Sequence, residues 1–175
     1  MEKDNLLNRI NQLPMNYDST WDKFIKEKYC RKEETIKRQD EKFFSQYWQG
    51  FAWAAILGFI NNRRSSLDSK TKSSFRFQTI NNQRGYDIAD ALILMAIAKS
   101  NKGYQILDEP REICDIISEY AKGGAEYVNE LLETPGNSID FTYPDHFLNE
   151  IVRRKSSLKK KIDKLQKEGL FFKNL

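Results

Sequence analysis

The chain is poor in the residues that most often advertise chemistry. Its 175 residues include two cysteines, one histidine and four prolines. Cys30 and Cys114 have no close spacing. That excludes a zinc-ribbon pattern and a disulfide framework, and it suits two idle thiols in a reducing compartment. His146, in "YPDHF", has no second histidine to work with, and its place near an expected helix start fits a capping or surface role. A Cys–His nucleophile pair would have to recruit Cys30 or Cys114, and neither local sequence resembles an activated nucleophile. Gly123–Gly124 lacks the G-x-x-x-x-G-K-[ST] frame of a phosphate loop, so no ATP and no other cofactor is expected. Long apolar runs are missing too. The longest, "FAWAAILGFI" at Phe51–Ile60, is ten residues, half of the roughly 20 that a membrane-spanning helix needs. "MEKDNLLNRI" carries no signal-peptide apolar region, so a cytoplasmic location and no membrane partner are expected.

What is present points to a folded domain. Hydrophobic residues make up 39% of the chain and aromatics 13%, enough for a core and too much for a disordered polymer. At this length a single domain with a helical extension is the simplest organisation. The net charge of +4 hides a strong asymmetry. Residues 1–59 carry 10 basic and 9 acidic side chains, 60–84 carry 6 and 1, 85–150 carry 4 and 13, and 151–175 carry 9 and 2. Such blocks speak to partners and solubility, not to fold.

Helical periodicity dominates. Leu6, Leu7, Ile10 and Leu13 suggest a short helix stopped by Pro14. In "DSTWDKFIKEKY", Asp18 or Ser19 caps a helix whose apolar face is Trp21, Phe24, Ile25 and Tyr29. Phe44, Tyr47, Trp48, Phe51, Ala55 and Phe59 step by threes and fours, with Gly50, Ala52, Ala54 and Gly58 between them. This predicts a central buried helix that ends near Asn61 and admits a close neighbour. Residues 62–85 lose periodicity and read as a long loop, with "FRFQTI" a short strand inside it. "YDIADALILMAIAKS" predicts a second helix, apolar all round over Ala91–Ala98 and so enclosed on most sides. The third runs through "LDEPREICDIISEYAKGGAEYVNELLE", with Asp108 as cap and Pro110 in the first turn. Its stripe of Ile113, Ile117, Tyr120, Gly124, Tyr127 and Leu131 continues through Gly123–Gly124. Two adjacent glycines cost about 2 kcal/mol relative to alanine in a helix interior. They either break the helix or admit a neighbouring backbone, and the cost favours a kink. After the turn-rich "TPGNSIDFTYP", a basic helix over 145–175 places Ile151, Leu158, Ile162, Leu165 and Phe172 at heptad-compatible positions.

The expected fold is therefore mainly α, a compact multi-helix domain with a long basic loop and a C-terminal basic helix. Trp48, Phe51, Ala55, Phe59, Leu92, Met95, Ile113, Ile117 and Tyr120 should share one core. The organisation expected is a helical extension over 1–40, a core domain over 41–135, and the basic helix 145–175 on or beyond it.

Two basic segments are the candidate binding sites. The loop offers Arg63, Arg64, Lys70, Lys72, Arg76 and Arg84 among Phe75, Phe77 and many amides and hydroxyls. The tail offers Arg153, Arg154, Lys159, Lys160 and Lys161. Cations neutralise phosphates, amides and hydroxyls hydrogen-bond them, and aromatic rings stack on unpaired bases. An acidic protein would suit the same charges, and both partners remain open. No metal site is expected. Asp145, Glu150 and Lys155 have the residue types of a metal-dependent nuclease but loose spacing and no strand pair to present them. Asp108, Glu109, Glu112 and Asp115 are better explained as a helix N-terminus.

The order "FAWAAILGFINNRR", a loop with "KSSFRF", then "DIADALILMAIAKSNKGYQILDEPREICDIISEYAKGGAEYVNELLE" resembles the small bacterial family of DNA phosphorothioation-associated (Dnd system-associated) protein four. The resemblance covers roughly residues 43–133, and "SEYAKGGAEYVNELL" is its most specific part. It implies a place beside prokaryotic DNA-modification or antiphage genes and supplies no catalytic residues. The expected function is a non-catalytic accessory subunit that docks onto larger proteins of such an operon and contacts DNA. The alternatives are a small bridging subunit between a nuclease and an SMC-like ATPase in another antiphage complex and, after it, a metal-dependent nuclease.

Overall fold

The strongest periodic segments become the three long helices of the computed structural model, which describes residues 6–30, 44–68, 73–81 and 86–133. All of these lie in the first of two units into which the chain divides, Met1–Glu133. In chain order the elements are α1 (Leu6–Asn11), β1 (Pro14–Tyr17), α2 (Ser19–Trp21), a π-helical turn (Asp22–Lys26), α3 (Glu27–Tyr29), α4 (Tyr47–Ile60), β2 (Ser73–Arg76), α5 (Gln78–Asn81), α6 (Tyr86–Lys99), a 3-10 turn (Gly103–Asp108) and α7 (Pro110–Glu133). The fold is mainly α. The expected basic helix over 145–175 lies outside the described residues.

α4 and α7 form the central pair. Both are rich in small residues where they cross, and the backbones nearly touch. A Cβ on Gly124 would lie 1.9 Å from the Ala54 carbonyl oxygen, and one on Gly58 would lie 2.1 Å from that of Tyr120. No side chain fits there, so glycine is a condition of the crossing. This corrects the expectation of a kink: α7 is one continuous 24-residue helix. The propensity lost at Gly123–Gly124 is offset by dispersion contacts that only a close helix crossing provides.

Residues 6–30 build the same core. Ile10, Met15, Trp21 and Ile25 are fully buried, as is Phe51 of α4. The Trp21 ring meets Phe51 edge-on at 6.1 Å, and Phe51 meets Phe75 of β2 at 5.1 Å. Of the nine core residues expected from periodicity, Phe59 alone is only half-buried.

Pro14 does more than stop α1. It starts β1, which pairs antiparallel with β2, Pro14 opposite Arg76 and Tyr17 opposite Ser73. Proline at the first residue of a strand removes no ladder bond that the pairing needs. Met15 and Tyr17 face inward, and the Asn16 N–H donates to Ser118 Oγ of α7 at 3.1 Å. "FRFQTI" is strand only as far as Arg76. The Phe77 N–H then bonds to the Leu13 carbonyl at 3.0 Å, and the chain turns into α5.

Two further expectations shift. α6 is not enclosed on most sides, since Ala91, Leu94 and Ala98 form an open face and Leu94 is 62% exposed. The apolar composition there exceeds what the packing of one helix face can bury. The cap of α7 is Glu109, whose carbonyl accepts from Glu112 N–H at 3.0 Å, while Asp108 ends the preceding 3-10 turn. Among the described residues no helix is long and apolar enough to cross a membrane.

Candidate functional site

The loop arginines are brought to α7 by the end of α4. Asn62 adopts φ 53°, the Arg63 N–H reaches the Gly58 carbonyl at 2.8 Å, and the Asn62 N–H reaches that of Phe59 at 3.1 Å. This is a Schellman ending with asparagine in the left-handed position. It turns the chain back across α7. The crossing is again backbone on backbone, because a Cβ on Gly123 would lie 2.3 Å from the Arg63 carbonyl oxygen. The two glycines thus face different neighbours, Gly124 the helix α4 and Gly123 the segment leaving it.

From there residues 63–68 are held to α7 by polar contacts. Arg63 pairs with Glu130 at 2.9 Å and lies over the Tyr127 ring. Arg64 pairs with Glu119 at 2.6 Å and lies over Tyr120. The Ser65 N–H donates to the Glu119 carbonyl at 3.2 Å, and its hydroxyl to the Glu126 carboxylate. Lys122 closes the set. Its ammonium donates to the Ser66 carbonyl at 2.9 Å, pairs with Asp18 at 2.9 Å, and lies 3.6 Å from Asp68. Asp18 in turn accepts from the N–H groups of Thr20 at 3.0 Å and Asp68 at 3.3 Å. One carboxylate therefore caps α2, holds residue 68 and neutralises a buried lysine.

Both members of that pair stay ionised at neutral pH. Burial pushes the Asp18 carboxyl up, but the Lys122 hydrogen bond and the two backbone N–H groups outweigh it and hold it below its ordinary value. Burial likewise pulls the Lys122 ammonium down, and the hydrogen bond to Asp18 with the charges of Asp18, Asp68 and Glu126 leaves it raised. A lysine used as a base or nucleophile needs the opposite shift. Cys114 offers no nucleophile either, since burial pushes its thiol up to about 12.

Of the expected binding residues, Arg63 and Arg64 come together on this strap, each about half exposed. Three cations (Arg63, Arg64, Lys122) face five carboxylates there (Asp18, Asp68, Glu119, Glu126, Glu130). Arg76 stands exposed on β2 and donates to Gln12. Lys70, Lys72, Arg84, Arg153, Arg154, Lys159, Lys160 and Lys161 lie outside the described residues, as do His146 and the Asp145, Glu150 and Lys155 set. Among the described residues no group of three His, Cys, Asp or Glu side chains is placed to hold a metal ion. The acidic start of α7 has a structural partner, Lys102, whose ammonium lies 2.7 Å from both Glu109 and Glu112.

"SEYAKGGAEY" is thus the stretch that meets both α4 and the strap. A family model matches residues 30–167, and it describes the DNA sulphur modification system-associated protein 4. The chain belongs to this family. The match widens the resemblance read over 43–133 and takes in most of the basic tail. It contains Arg63, Arg64, Asp68 and Lys122 but not Asp18. No curated protein and no solved structure matches the chain. Periodicity missed the Asp18–Lys122–Asp68 cluster. Its one signal was Lys122 itself, a cation set among the small residues Ala121, Gly123, Gly124 and Ala125.

Proposed function

We propose that this protein is a non-catalytic accessory subunit of a DNA sulphur modification system acting in antiphage defence. In this reading it docks onto larger DNA-processing proteins of the same operon and contacts DNA through its basic segments. The observation that carries the reading is the family match over residues 30–167, whose description names association with such a system. The geometry supports the non-catalytic part. Lys122 and Asp18 neutralise each other and hold backbone groups in place, which is the role of a structural ion pair and not of an acid–base pair.

The partner is tested by capture. A tagged copy expressed with its intact operon is expected to recover larger operon proteins. Recovery of bait alone would remove the support for docking, and recovery of a nuclease together with an SMC-like ATPase would favour the bridging alternative. Incubating the purified protein with plasmid and Mg²⁺ or Mn²⁺ addresses catalysis. Cleavage that is lost in Asp145→Ala or Glu150→Ala would overturn the non-catalytic reading.

DNA contact is assigned to Arg63, Arg64, Lys70, Lys72, Arg76 and Arg84 of the loop and to Arg153, Arg154, Lys159, Lys160 and Lys161 of the tail. Affinity should be sequence-tolerant and should fall steeply with salt as counterions are released. Each phosphate left without its cation should flatten the log–log salt slope by about 1. At the strap a phosphate must compete with Glu119 and Glu130 for the two arginines. Lys159→Ala/Lys160→Ala/Lys161→Ala is therefore expected to weaken binding more than Arg63→Ala/Arg64→Ala. If neither set changes affinity or slope, the charges serve solubility or an acidic protein.

A further inference from the structure

A second surface with exposed lysines, Lys23 and Lys28, lies on the helical segment 19–29, outside the sites assigned above and before the span of the family model. The π-helical turn Asp22–Lys26 interrupts this segment. π-turns inside helices are rare and concentrate at functional positions, because the extra residue re-aims the side chains around it. Here Lys23, Lys26 and Lys28 lie near aromatic rings, beside the exposed Glu27. Lys23 Nζ lies 5.3 Å and Lys28 Nζ 5.6 Å from the centre of the half-buried Phe24 ring. Lys26 Nζ lies 4.9 Å from the ring of Tyr47 at the start of α4 and 5.6 Å from that of Tyr17 on β1. Lys26 also pairs with Asp22 at 3.1 Å. Among the described residues no carboxylate pairs with Lys23 or Lys28, and neither is buried.

We propose that this face is a binding surface for single-stranded DNA, with a base stacked on Phe24 and the flanking phosphates held by Lys23 and Lys28. The inference rests on the reading that the chain contacts DNA and assigns a separate surface to unpaired strands. A half-buried phenyl ring gives a base a flat apolar partner, and stacking of this kind tolerates any base. Contacts of an exposed ammonium with a ring are weak, so a lysine swings from ring to phosphate at little cost. The contact with phosphate then adds the counterion release that the ring alone cannot supply. Paired bases present no free face, so a duplex has only the charges to engage.

The test uses the full chain, a fluorescently labelled thymidine strand of about 20 nucleotides, longer than the ~4–16 that one such surface covers, and a duplex of equal length. Phe24→Leu keeps apolar bulk and removes the flat ring. It is expected to weaken single-strand binding about 5- to 100-fold, to leave the salt slope unchanged, and to spare duplex binding. Lys23→Gln/Lys28→Gln is expected to lower the single-strand slope by about 0.7 for each phosphate no longer neutralised. If Phe24→Leu lowers the melting temperature, the lysine pair decides alone by its slope. Wild-type affinity and slope in both variants, with binding lost in the Lys159–Lys161 variant, would overturn this inference and leave the DNA reading standing. No binding to either DNA form would overturn both. Equal binding of poly-glutamate, insensitive to Phe24→Leu, would overturn it in favour of an acidic protein partner.

Discussion

Lys122 Nζ and Asp18 Oδ2 lie 2.9 Å apart with side chains 9% and 0% exposed, joining the middle of α7 to the N-terminal cap of α2. The two residues are far apart in sequence, and each satisfies backbone groups besides its partner. The pair thus ties three stretches of chain to one point.

Removing one partner leaves the other charge buried and unpaired. Lys122→Met is expected to cost about 3–5 kcal/mol of unfolding free energy in urea titrations. Asp18→Asn/Lys122→Met should cost less than the sum of the single changes, because neither charge is then stranded. Additivity within error would show that the pair is not coupled.

The same pair sets a pH window. The folded Asp18 carboxyl lies below its unfolded value of 3.8, so its contribution is whole above that pH and is lost as pH falls through the folded value. The folded Lys122 ammonium lies above its unfolded value of 10.5, so its contribution is whole below that pH and is lost as pH rises through the folded value. In Lys122→Met the stranded carboxyl is relieved by protonation. Urea midpoints of wild type and variant are therefore expected to converge as pH drops below 3.8. A gap that stays constant or widens in acid would contradict this electrostatic account.

Alanine normally gains about 1 kcal/mol over glycine inside a helix. At Gly58 and Gly124 the sign should reverse, because the added Cβ meets backbone oxygen at 2.1 and 1.9 Å. Each substitution is expected to destabilise by about 3 kcal/mol or more, at or beyond the upper end of overpacking costs. Thermal melts of the single variants check this, and an unchanged or higher melting temperature in either would refute the close crossing.

Leu94 offers the opposite test. Were α6 enclosed, Leu94→Glu would bury a charge. On the open face it should change stability by no more than about 0.5 kcal/mol in either direction. Leu92→Glu, at a fully buried position of the same helix, should abolish folding and serves as the contrast.

Local pattern made much of this legible. Tyr47–Ile60, Tyr86–Lys99 and Pro110–Glu133 all follow apolar periods of three and four, and a period is a property of neighbours in sequence. The Asp18 cap likewise depends on a side chain and an N–H two residues apart. The strap, the Lys122 cluster and β1 depend on residues from distant parts of the chain, and no spacing rule brings them together. Arg63 and Arg64 show the difference. In sequence they belong to a basic block, while in the fold each pairs with one carboxylate of α7.

The sequence by itself determined a helical domain with an aromatic core, an uneven charge and a family. Tertiary structure alone decided whether Gly123–Gly124 breaks a helix. The propensity cost is local and favours a break, but the backbone contacts made by Ala54, Gly58 and Arg63 exist only after α4 and α7 have packed, and they keep α7 whole.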